Sequence, residues 1–303
     1  MLLEMDKRNK YSLEEEKRIL LIGGSGFIGV NLIVKFIEYK IGKIINIDKN
    51  PSPLGIKTEY VDLKMPLYPN IRNFKPQYII YLANIQSEDI SLSQYSRDIN
   101  VKGLEVLYQD LIDYTELKKF IYLSDYKVYS DNIPFTEKSE VKKRGIYLAT
   151  KLEAEEISMK YLESYFIPII ILRLSDIYGL YSKTQTSFLS RSIKSAIQKN
   201  EIYIEDNNIY DYIYTSDLVQ AIILTLDTTY TGILNIGSGR GYSNIDIVSI
   251  INEFIPSKIK TGSFQQQSFI NNITLAKNLL SWEPHTNIKT GIKNTIDYFK
   301  TIL

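Results

Sequence analysis

The chain has 303 residues, 44% of them hydrophobic, which is enough to bury one sizeable core or two smaller ones and excludes disordered and fibrous proteins. Its 36 basic and 35 acidic residues leave a formal charge of +1, so no global field attracts nucleic acid or an anionic membrane surface. The absence of cysteine excludes disulfides and thiolate nucleophiles, and with His285 as the only histidine we expect no metal site.

The first segment, residues 1–17, is rich in charge and precedes the first apolar run. We interpret it as an extension outside the core, either a frayed tail or a short surface helix. No apolar run is long enough to cross a membrane, and Asp6 and Lys7 come too early for a secretory signal. The expected location is therefore the cytoplasm.

From Arg18 onward, short apolar runs alternate with helical patterns. Phe27, Leu32, Ile33 and Phe36 recur at helical spacing, and further helical stretches lie near 99–113 and 147–165. This alternation predicts an α/β fold with a parallel sheet and right-handed crossovers. The strand candidates are RILLI at 18–22, KIINID at 43–48, YIIYLA at 78–83, KFIYLS at 119–124 and IPIIILRL at 167–174.

A glycine-rich loop, GGSGFIG, lies between the first strand and the first helix. Gly23 permits a sharp turn, Gly26 lets the backbone approach a pyrophosphate, and Gly29 allows the helix to pack closely on the strand. Asp48 follows Gly29 by nineteen residues, close to the spacing of a carboxylate that binds an adenosine ribose. The pattern predicts a dinucleotide site, with NAD favoured over NADP because the carboxylate repels a 2′-phosphate, although Lys49 leaves NADP open.

Tyr147 and Lys151 are four residues apart in YLATKLEAEE, so their side chains share one face of a predicted helix. An ammonium near a phenol favours the phenolate and lowers the tyrosine pKa from its usual value of about 10. Such a phenol can exchange a proton with a substrate hydroxyl while hydride leaves or arrives. Because the chain has 24 tyrosines, the spacing taken alone favours a surface helix pair.

The order of these motifs resembles the extended short-chain dehydrogenase/reductase family, also called the NAD-dependent epimerase/dehydratase family. The resemblance runs from about Arg18 to Phe299. Its landmarks are GGSGFIG, Asp48, VDL at 61–63, YLA at 81–83, NVKG from Asn100, YLSDYKVY ending at Tyr129, YxxxK at Tyr147, RLSDIYG from Arg173, DYIYTSDL from Asp211, NIGSG from Asn235 and NLLSWEP ending at Pro284.

The resemblance implies a Rossmann-type, doubly wound parallel sheet with a smaller C-terminal substrate lobe. The NAD-binding domain would be 18–178, with a return of the chain around 206–236, and the lobe 179–303. Tyr147 would be the catalytic acid/base and Lys151 its ribose-binding helper, in a homodimer formed through helices near 100–113 and 147–165. The cofactor-binding residues would be Gly23, Gly26, Phe27, Ile28, Gly29, Asp48, Asp62, Leu63, Leu82, Ala83, Asn100, Tyr147 and Lys151.

One departure from the family lies beside the predicted catalytic pair. The catalytic serine or threonine of the family, four residues before the tyrosine of the VY step, falls on Asp125, and Ser124 lies one position earlier. A carboxylate donates a hydrogen bond only when it is protonated. Either Ser124 takes the role, or Asp125 has a raised pKa, or Tyr147 works without this partner. We favour Ser124 or no partner.

Two further departures concern the substrate, which the resemblance implies is a nucleotide sugar. The asparagine expected near its phosphates is Asp176, and the arginine expected before the DYI segment is Tyr210. Loss of a donor and a cation weakens the usual hold on a diphosphate. Arg191 or Arg240 could compensate, although each is equally typical of a solvated surface residue, so the substrate class rests mostly on the resemblance.

The resemblance to the family also reduces the number of reactions that the enzyme could catalyse. Family dehydratases and decarboxylases carry an acidic pair or a glutamate where this chain has Tyr126 and Lys127, and members that epimerise beside a ketone use a cysteine that is absent here. The reaction that remains is hydride transfer at one carbinol. The enzyme would then be an NAD-dependent nucleotide-sugar 4-epimerase or an NAD(P)H-dependent 4-ketoreductase. Asp48 slightly favours the epimerase, because it favours NAD. A non-catalytic dinucleotide-binding scaffold or sensor is the alternative of another class.

Overall fold

The computed structural model describes residues 16–130, 133–182, 187–262 and 266–303, so the predicted extension, residues 1–17, is described only at Glu16 and Lys17. The strands are β1 (Arg18–Ile22), β2 (Lys43–Ile47), β3 (Thr58–Glu59), β4 (Tyr78–Tyr81), β5 (Lys119–Asp125), β6 (Ile169–Leu174), β7 (Asp176–Tyr178), β8 (Glu201–Ile204), β9 (Ile209–Tyr214), β10 (Gly232–Ile236), β11 (Gly241–Ser243), β12 (Lys258–Thr261) and β13 (Ser268–Phe269).

The helices alternate with these strands through most of the chain. A π-helical segment, Asp98–Lys102, joins the third helix to the fourth, so the helix expected near 99–113 begins earlier, at Ser93. The helices are α1 (Phe27–Glu38), α2 (Tyr68–Phe74), α3 (Ser93–Arg97), α4 (Gly103–Leu111), α5 (Gly145–Tyr165), α6 (Phe188–Lys199), α7 (Thr215–Thr225), α8 (Asn244–Phe254), α9 (Thr274–Leu280) and α10 (Ile288–Ile302).

The centre of the molecule is a seven-stranded sheet with the order β10-β6-β5-β4-β1-β2-β3, and every pairing in it is parallel. Its inner strands are buried on both faces, because side chains of one strand alternate between two cores: Ile19 and Leu21 of β1 face one, Leu20 and Ile22 the other. The predicted doubly wound α/β fold is confirmed.

Helices cover both faces of this sheet. Leu32, Ile33 and Phe36 of α1 pack with α7 and α9 on one face, whereas α2, α4 and α5 cover the other. The chain builds β2 and β3 on one side of β1 and then returns to place β4 on its other side. A crevice forms beyond the carboxyl ends of the strands where the order reverses in this way, here between β1 and β4.

The later part of the chain adds a smaller unit while also contributing to the central sheet. β10 lies at the edge of the sheet beside β6, and Leu218 and Ile222 of α7 belong to the core shared with α1. In contrast, β9 pairs with β7, β11 and β13 in a separate sheet, and β12 pairs with β8. A third apolar cluster joins α6, α8 and α10.

Within the described ranges, no helix combines the length and the apolar character that a membrane crossing requires.

Candidate active site

The glycine turn after β1 packs tightly against the end of β4. Gly23 has φ +88°, and a Cβ there would lie 2.6 Å from the backbone nitrogen of Ala83. A Cβ on Gly29 would lie 2.4 Å from the Cα of Gly24, which explains the close approach of α1. A Cβ on Gly26 would contact only the carbonyl oxygen of Gly23, at 3.3 Å, and would otherwise enter the crevice.

Asp48, directly after β2, is fixed beside this turn. Its Oδ2 accepts a hydrogen bond from the Ser25 amide and its Oδ1 accepts one from the Asn50 amide, both at 2.9 Å. The carboxylate borders a cavity of about 440 Å³ between the glycine turn and the loop after β3. The predicted cofactor residues that line this cavity are Gly23, Gly26, Asp48, Asp62, Leu63, Leu82 and Ala83.

A second cavity, of about 250 Å³, continues from the first toward α5. The two share Gly23, Gly26, Leu82 and Asn84, and together they form one elongated crevice across the carboxyl ends of the strands. The predicted residues that line this second part are Gly23, Gly26, Phe27, Ile28, Gly29, Leu82, Ser124, Asp125, Tyr147, Lys151 and Asp176.

Tyr147 and Lys151 share the crevice wall on the first turns of α5. The Lys151 ammonium donates to the Leu123 carbonyl at 2.8 Å and lies 5.8 Å from the centre of the Tyr147 ring. Burial lowers the pKa of Lys151 to about 8, against the charges of Asp125 and Glu155. Burial, followed by the charge of Asp125, raises the pKa of Tyr147 well above its usual value. This direction is opposite to the expected one, because enclosure and Asp125 outweigh the ammonium.

Ser124 and Asp125 point to different surroundings at the end of β5. The buried Ser124 hydroxyl donates to Glu155 Oε1 at 2.5 Å, and Arg173 binds the same carboxylate through Nε and Nη2, the latter at 2.6 Å. Asp125 accepts the Lys127 amide at 2.8 Å and lines the crevice together with Tyr147. The Ser124 hydroxyl is committed to Glu155, so of the two expected outcomes, Ser124 as partner or no partner, this structure favours the second.

Lys127 contacts both Asp176 and Tyr210, the two positions that differ from the family residues expected at the substrate. Its ammonium lies 2.6 Å from Asp176 Oδ1 and 5.0 Å from the centre of the Tyr210 ring, which stacks on Phe269. Burial opposes the charge of Lys127, but Asp176 and Asp125 prevail and raise its pKa. An ammonium group therefore lies beside the Tyr210 ring, where the sequence itself carries no cation.

The remaining predicted site residues lie away from the crevice wall. Arg191 is exposed on α6 and is 3.7 Å from Glu205, and the exposed Arg240 borders a small separate cavity with Tyr178 and Tyr212. Asn100 is buried behind the wall, where its side chain binds the backbone of Ile85 and the hydroxyl of Thr150. Asn100 therefore joins the loop after β4 to α5.

Two side chains that the sequence analysis did not identify bear on Tyr147. The Glu88 carboxylate accepts the amides of Ile146 and Tyr147, at 2.7 and 3.2 Å, and so caps the N-terminus of α5 from a distant loop. Asn84, next to the YLA landmark, lines the same cavity as Tyr147 and lowers the pKa of the phenol, against the larger effect of burial. No local pattern signals either role, because both depend on contacts more than fifty residues apart along the chain.

Comparison with protein families identifies the chain. The model of the NAD dependent epimerase/dehydratase family matches residues 19–237, which is more than half of the sequence. The chain belongs to this family. It is therefore an enzyme of the extended short-chain dehydrogenase/reductase type, as the order of its motifs predicts, and its cofactor is NAD.

Members of this family with different reactions are similar to the chain. An uncharacterized UDP-glucose epimerase of Bacillus subtilis is 25% identical, covering 94% of this chain and 98% of that protein. The structure of UDP-glucose 4-epimerase from Thermotoga maritima with UDP-glucose superposes with a TM-score of 0.84 at 23% identity, over 94% of this chain and 99% of the other. The structure of a dTDP-glucose 4,6-dehydratase from Bacillus anthracis in complex with NAD superposes with a TM-score of 0.84 at 23% identity, over 94% of this chain and 97% of the other.

The crevice of this family member fits NAD by its own geometry. A dinucleotide needs a turn that its pyrophosphate can approach, and the free space at Gly26 provides one. It also needs an acceptor for ribose hydroxyls, and Asp48 is held at the cavity border by two backbone amides. Tyr147 and Lys151 lie at the opposite end of the same crevice.

Proposed function

We propose that this enzyme is a nucleotide-sugar 4-epimerase that retains NAD and oxidises and re-reduces one sugar carbinol, and that it acts in the cytoplasm. The observation that carries the proposal is the single crevice, with Asp48 at one end and Tyr147 and Lys151 at the other. NAD, when bound, would accept hydride and return it. The similarity to the Bacillus subtilis UDP-glucose epimerase supports the same activity.

The residues of the chain would supply binding and proton transfer. Gly23, Gly26 and Asp48 would hold the dinucleotide, with Asp62, Leu63 and Ala83 around its adenine end. Tyr147 would exchange the proton of the sugar hydroxyl, and Lys151, fixed by the Leu123 carbonyl, would bind the ribose beside it.

Lys127 argues against dehydration, the reaction of other relatives. Family dehydratases carry an acidic residue at this position, but here the side chain is a lysine paired with Asp176. Because Asp176 and Asp125 raise its pKa, Lys127 stays protonated at neutral pH and cannot remove a proton from carbon. The proposed enzyme therefore returns hydride to the carbon from which it came.

The proposal is tested by the state of the cofactor and by the product. We expect purified protein to release NAD only on denaturation, and to convert UDP-glucose or dTDP-glucose into its C4 epimer without added cofactor. Exchangeable cofactor with consumption of NADPH would support the ketoreductase instead. Bound cofactor without turnover on a panel of nucleotide sugars would support the scaffold.

We also propose a homodimer formed through α4 and α5, as the family resemblance implies. Apolar side chains are exposed near the ends of these helices: Phe166 is 85% exposed, Tyr165 42% and Ile112 38%. Burial of such a patch would stabilise an association. Light scattering of the purified protein measures its molar mass, and a monomer at all concentrations would contradict this proposal.

A further inference from the structure

A lysine lies where the catalytic end of the crevice meets the smaller unit. Asp176 on β7 lines the crevice together with Tyr147, and the ammonium of Lys127 lies 2.6 Å from the Oδ1 atom of Asp176. The same ammonium lies 5.0 Å from the centre of the Tyr210 ring on β9. We propose that Lys127 binds the diphosphate of the substrate and that Asp176 holds the ammonium in place. The inference rests on the proposed function, because it takes the substrate to be a nucleotide sugar.

The position of the reacting sugar determines the path of its diphosphate. When the sugar hydroxyl reaches Tyr147 and NAD occupies the end of the crevice at the glycine turn, the nucleotide has to extend away from that turn. In the other direction the crevice is lined by Asp176 and by Ser187, the N-cap of α6 in the smaller unit. β7 also pairs with β9 of that unit. The diphosphate would therefore pass Asp176 and its partner, Lys127.

The ammonium of Lys127 keeps donors for such a ligand. An ammonium group has three N–H donors, and in the described part of the chain Asp176 is the acceptor that this one contacts. Its other close neighbours are the rings of Tyr126 and Tyr210. The side chain is 33% exposed, so a ligand can reach it. Partial burial opposes the charge, but Asp176 and Asp125 raise the pKa of Lys127, so the group is charged at neutral pH.

Three other cations near the ends of β5 and β6 have their donors engaged. Lys151 is buried and donates to the Leu123 carbonyl. Arg173 is buried in its ion pair with Glu155. Arg144 donates to two backbone carbonyls through Nη2. None of these three contacts leaves a charged group as accessible as that of Lys127.

Asp176 has two opposite effects on a bound diphosphate. Its carboxylate fixes the ammonium, and a side chain that is already ordered loses less entropy on binding. Its negative charge also repels the phosphates, and with only 19% of the side chain exposed this repulsion is weakly screened. Asp176→Asn keeps an oxygen that can accept from Lys127 but removes the repulsion. We therefore expect this variant to bind a nucleoside diphosphate more tightly than the wild type.

The experiment measures the binding of UDP and dTDP to the NAD-loaded protein by isothermal titration calorimetry. The decisive comparison is Asp176→Asn with and without Lys127→Met, because neither protein contains an unpaired carboxylate at position 176. We expect Lys127→Met to weaken binding in this background by about 10–100-fold. Equal affinities would show that Lys127 only neutralises Asp176, and would overturn the inference. Lys127→Gln in the same background gives the comparison a second time if the Met variant does not retain NAD.

Two controls separate the charge of Lys127 from general effects. Lys293→Met removes a lysine that pairs with Asp297 at 2.8 Å on the exposed face of α10, and it should bind UDP as the wild type does. Uridine and thymidine lack phosphates, so their affinities should not depend on Lys127. An equal loss for nucleoside and diphosphate would contradict a contact with the phosphates.

The outcome for the inference is independent of the outcome for the reaction. Diphosphate binding that depends on Lys127, without a C4 epimer from UDP-glucose or dTDP-glucose, would overturn the 4-epimerase proposal and support the inference. Epimer formation together with diphosphate binding that does not depend on Lys127 would overturn the inference alone. Failure of the wild type to bind either diphosphate would also overturn it.

Discussion

Tyr147 is the side chain on which the proposed chemistry depends most. Replacement by Phe removes the only atom that can exchange a proton and leaves the ring and the helix in place. We expect Tyr147→Phe to lower turnover by about 10²–10⁴ while NAD stays bound. Epimer formation and NAD content after denaturation are the measurements, with Tyr165→Phe, at the exposed end of α5, as the control. Activity retained in Tyr147→Phe would remove this residue from its role.

Glu155 and Arg173 form a buried ion pair beneath the same site. Both side chains are about 95% buried, and the Ser124 hydroxyl completes the contacts of the carboxylate. Loss of one partner leaves a buried charge without compensation. We expect Arg173→Met to lower the free energy of unfolding by about 3–5 kcal/mol, measured by urea denaturation.

The matched variant for this pair is the double substitution Glu155→Gln with Arg173→Met. Because it removes both charges, it should recover part of the stability that Arg173→Met loses. Equal losses in the single and double variants would show that packing around Arg173, including its position 4.6 Å from the centre of the Tyr129 ring, matters more than its charge.

Among the elements, α5 carries both predicted catalytic side chains, and the cap at its N-terminus comes from a residue of a distant loop. Its N-cap residue, Arg144, makes no side-chain cap, and Glu88 accepts two of the first amides instead. We expect Glu88→Ala to cost about 0.5–2 kcal/mol and to lower turnover, because the freed first turn displaces Tyr147. Thermal unfolding and epimerase assays measure the two effects.

Ser243→Ala is the control for Glu88→Ala, because it also removes a helix N-cap, but from a different helix. Ser243 forms a capping box with Asp246 at the start of α8, in the smaller unit. Its loss should cost similar stability without changing turnover. If Glu88→Ala also left turnover unchanged, Glu88 would be a stabilising residue only.

The same elements show what local patterns can predict. The runs RILLI, YIIY and IIILRL are found as central strands because burial on both faces requires continuous apolar sequence. The two-residue strands β3 and β13 are too short for any pattern to identify. The Lys127–Asp176 pair was missed because its members are 49 residues apart and meet only because the paired strands β5 and β6, which they follow, end at the same edge of the sheet.

At the scale of the whole molecule, the 24 tyrosines set the alkaline limit of stability. Burial raises the pKa of Tyr122, Tyr126 and Tyr178 well above the usual value. Above about pH 10 the unfolded chain loses these protons while the folded protein keeps them, so each such tyrosine removes about 1.4 kcal/mol of stability per pH unit. We expect the urea midpoint to fall steeply above about pH 10.

Tyr122→Phe isolates one of these contributions. The buried Tyr122 hydroxyl has no hydrogen-bond partner within the described residues, so its removal should be neutral or slightly stabilising near neutral pH. At alkaline pH the variant should be more stable than the wild type. An identical pH dependence in both proteins would show that Tyr122 does not contribute.

The edge strand β10 has a consequence for synthesis on the ribosome. When the nascent chain has emerged through Leu174, the fully buried β6 still lacks its neighbour, which arrives only with Gly232–Ile236. Until then, that strand presents an unpaired apolar border that other chains can join. Fragments that stop between the two strands are therefore expected to aggregate, and folding of the sheet finishes only after most of the chain has been translated.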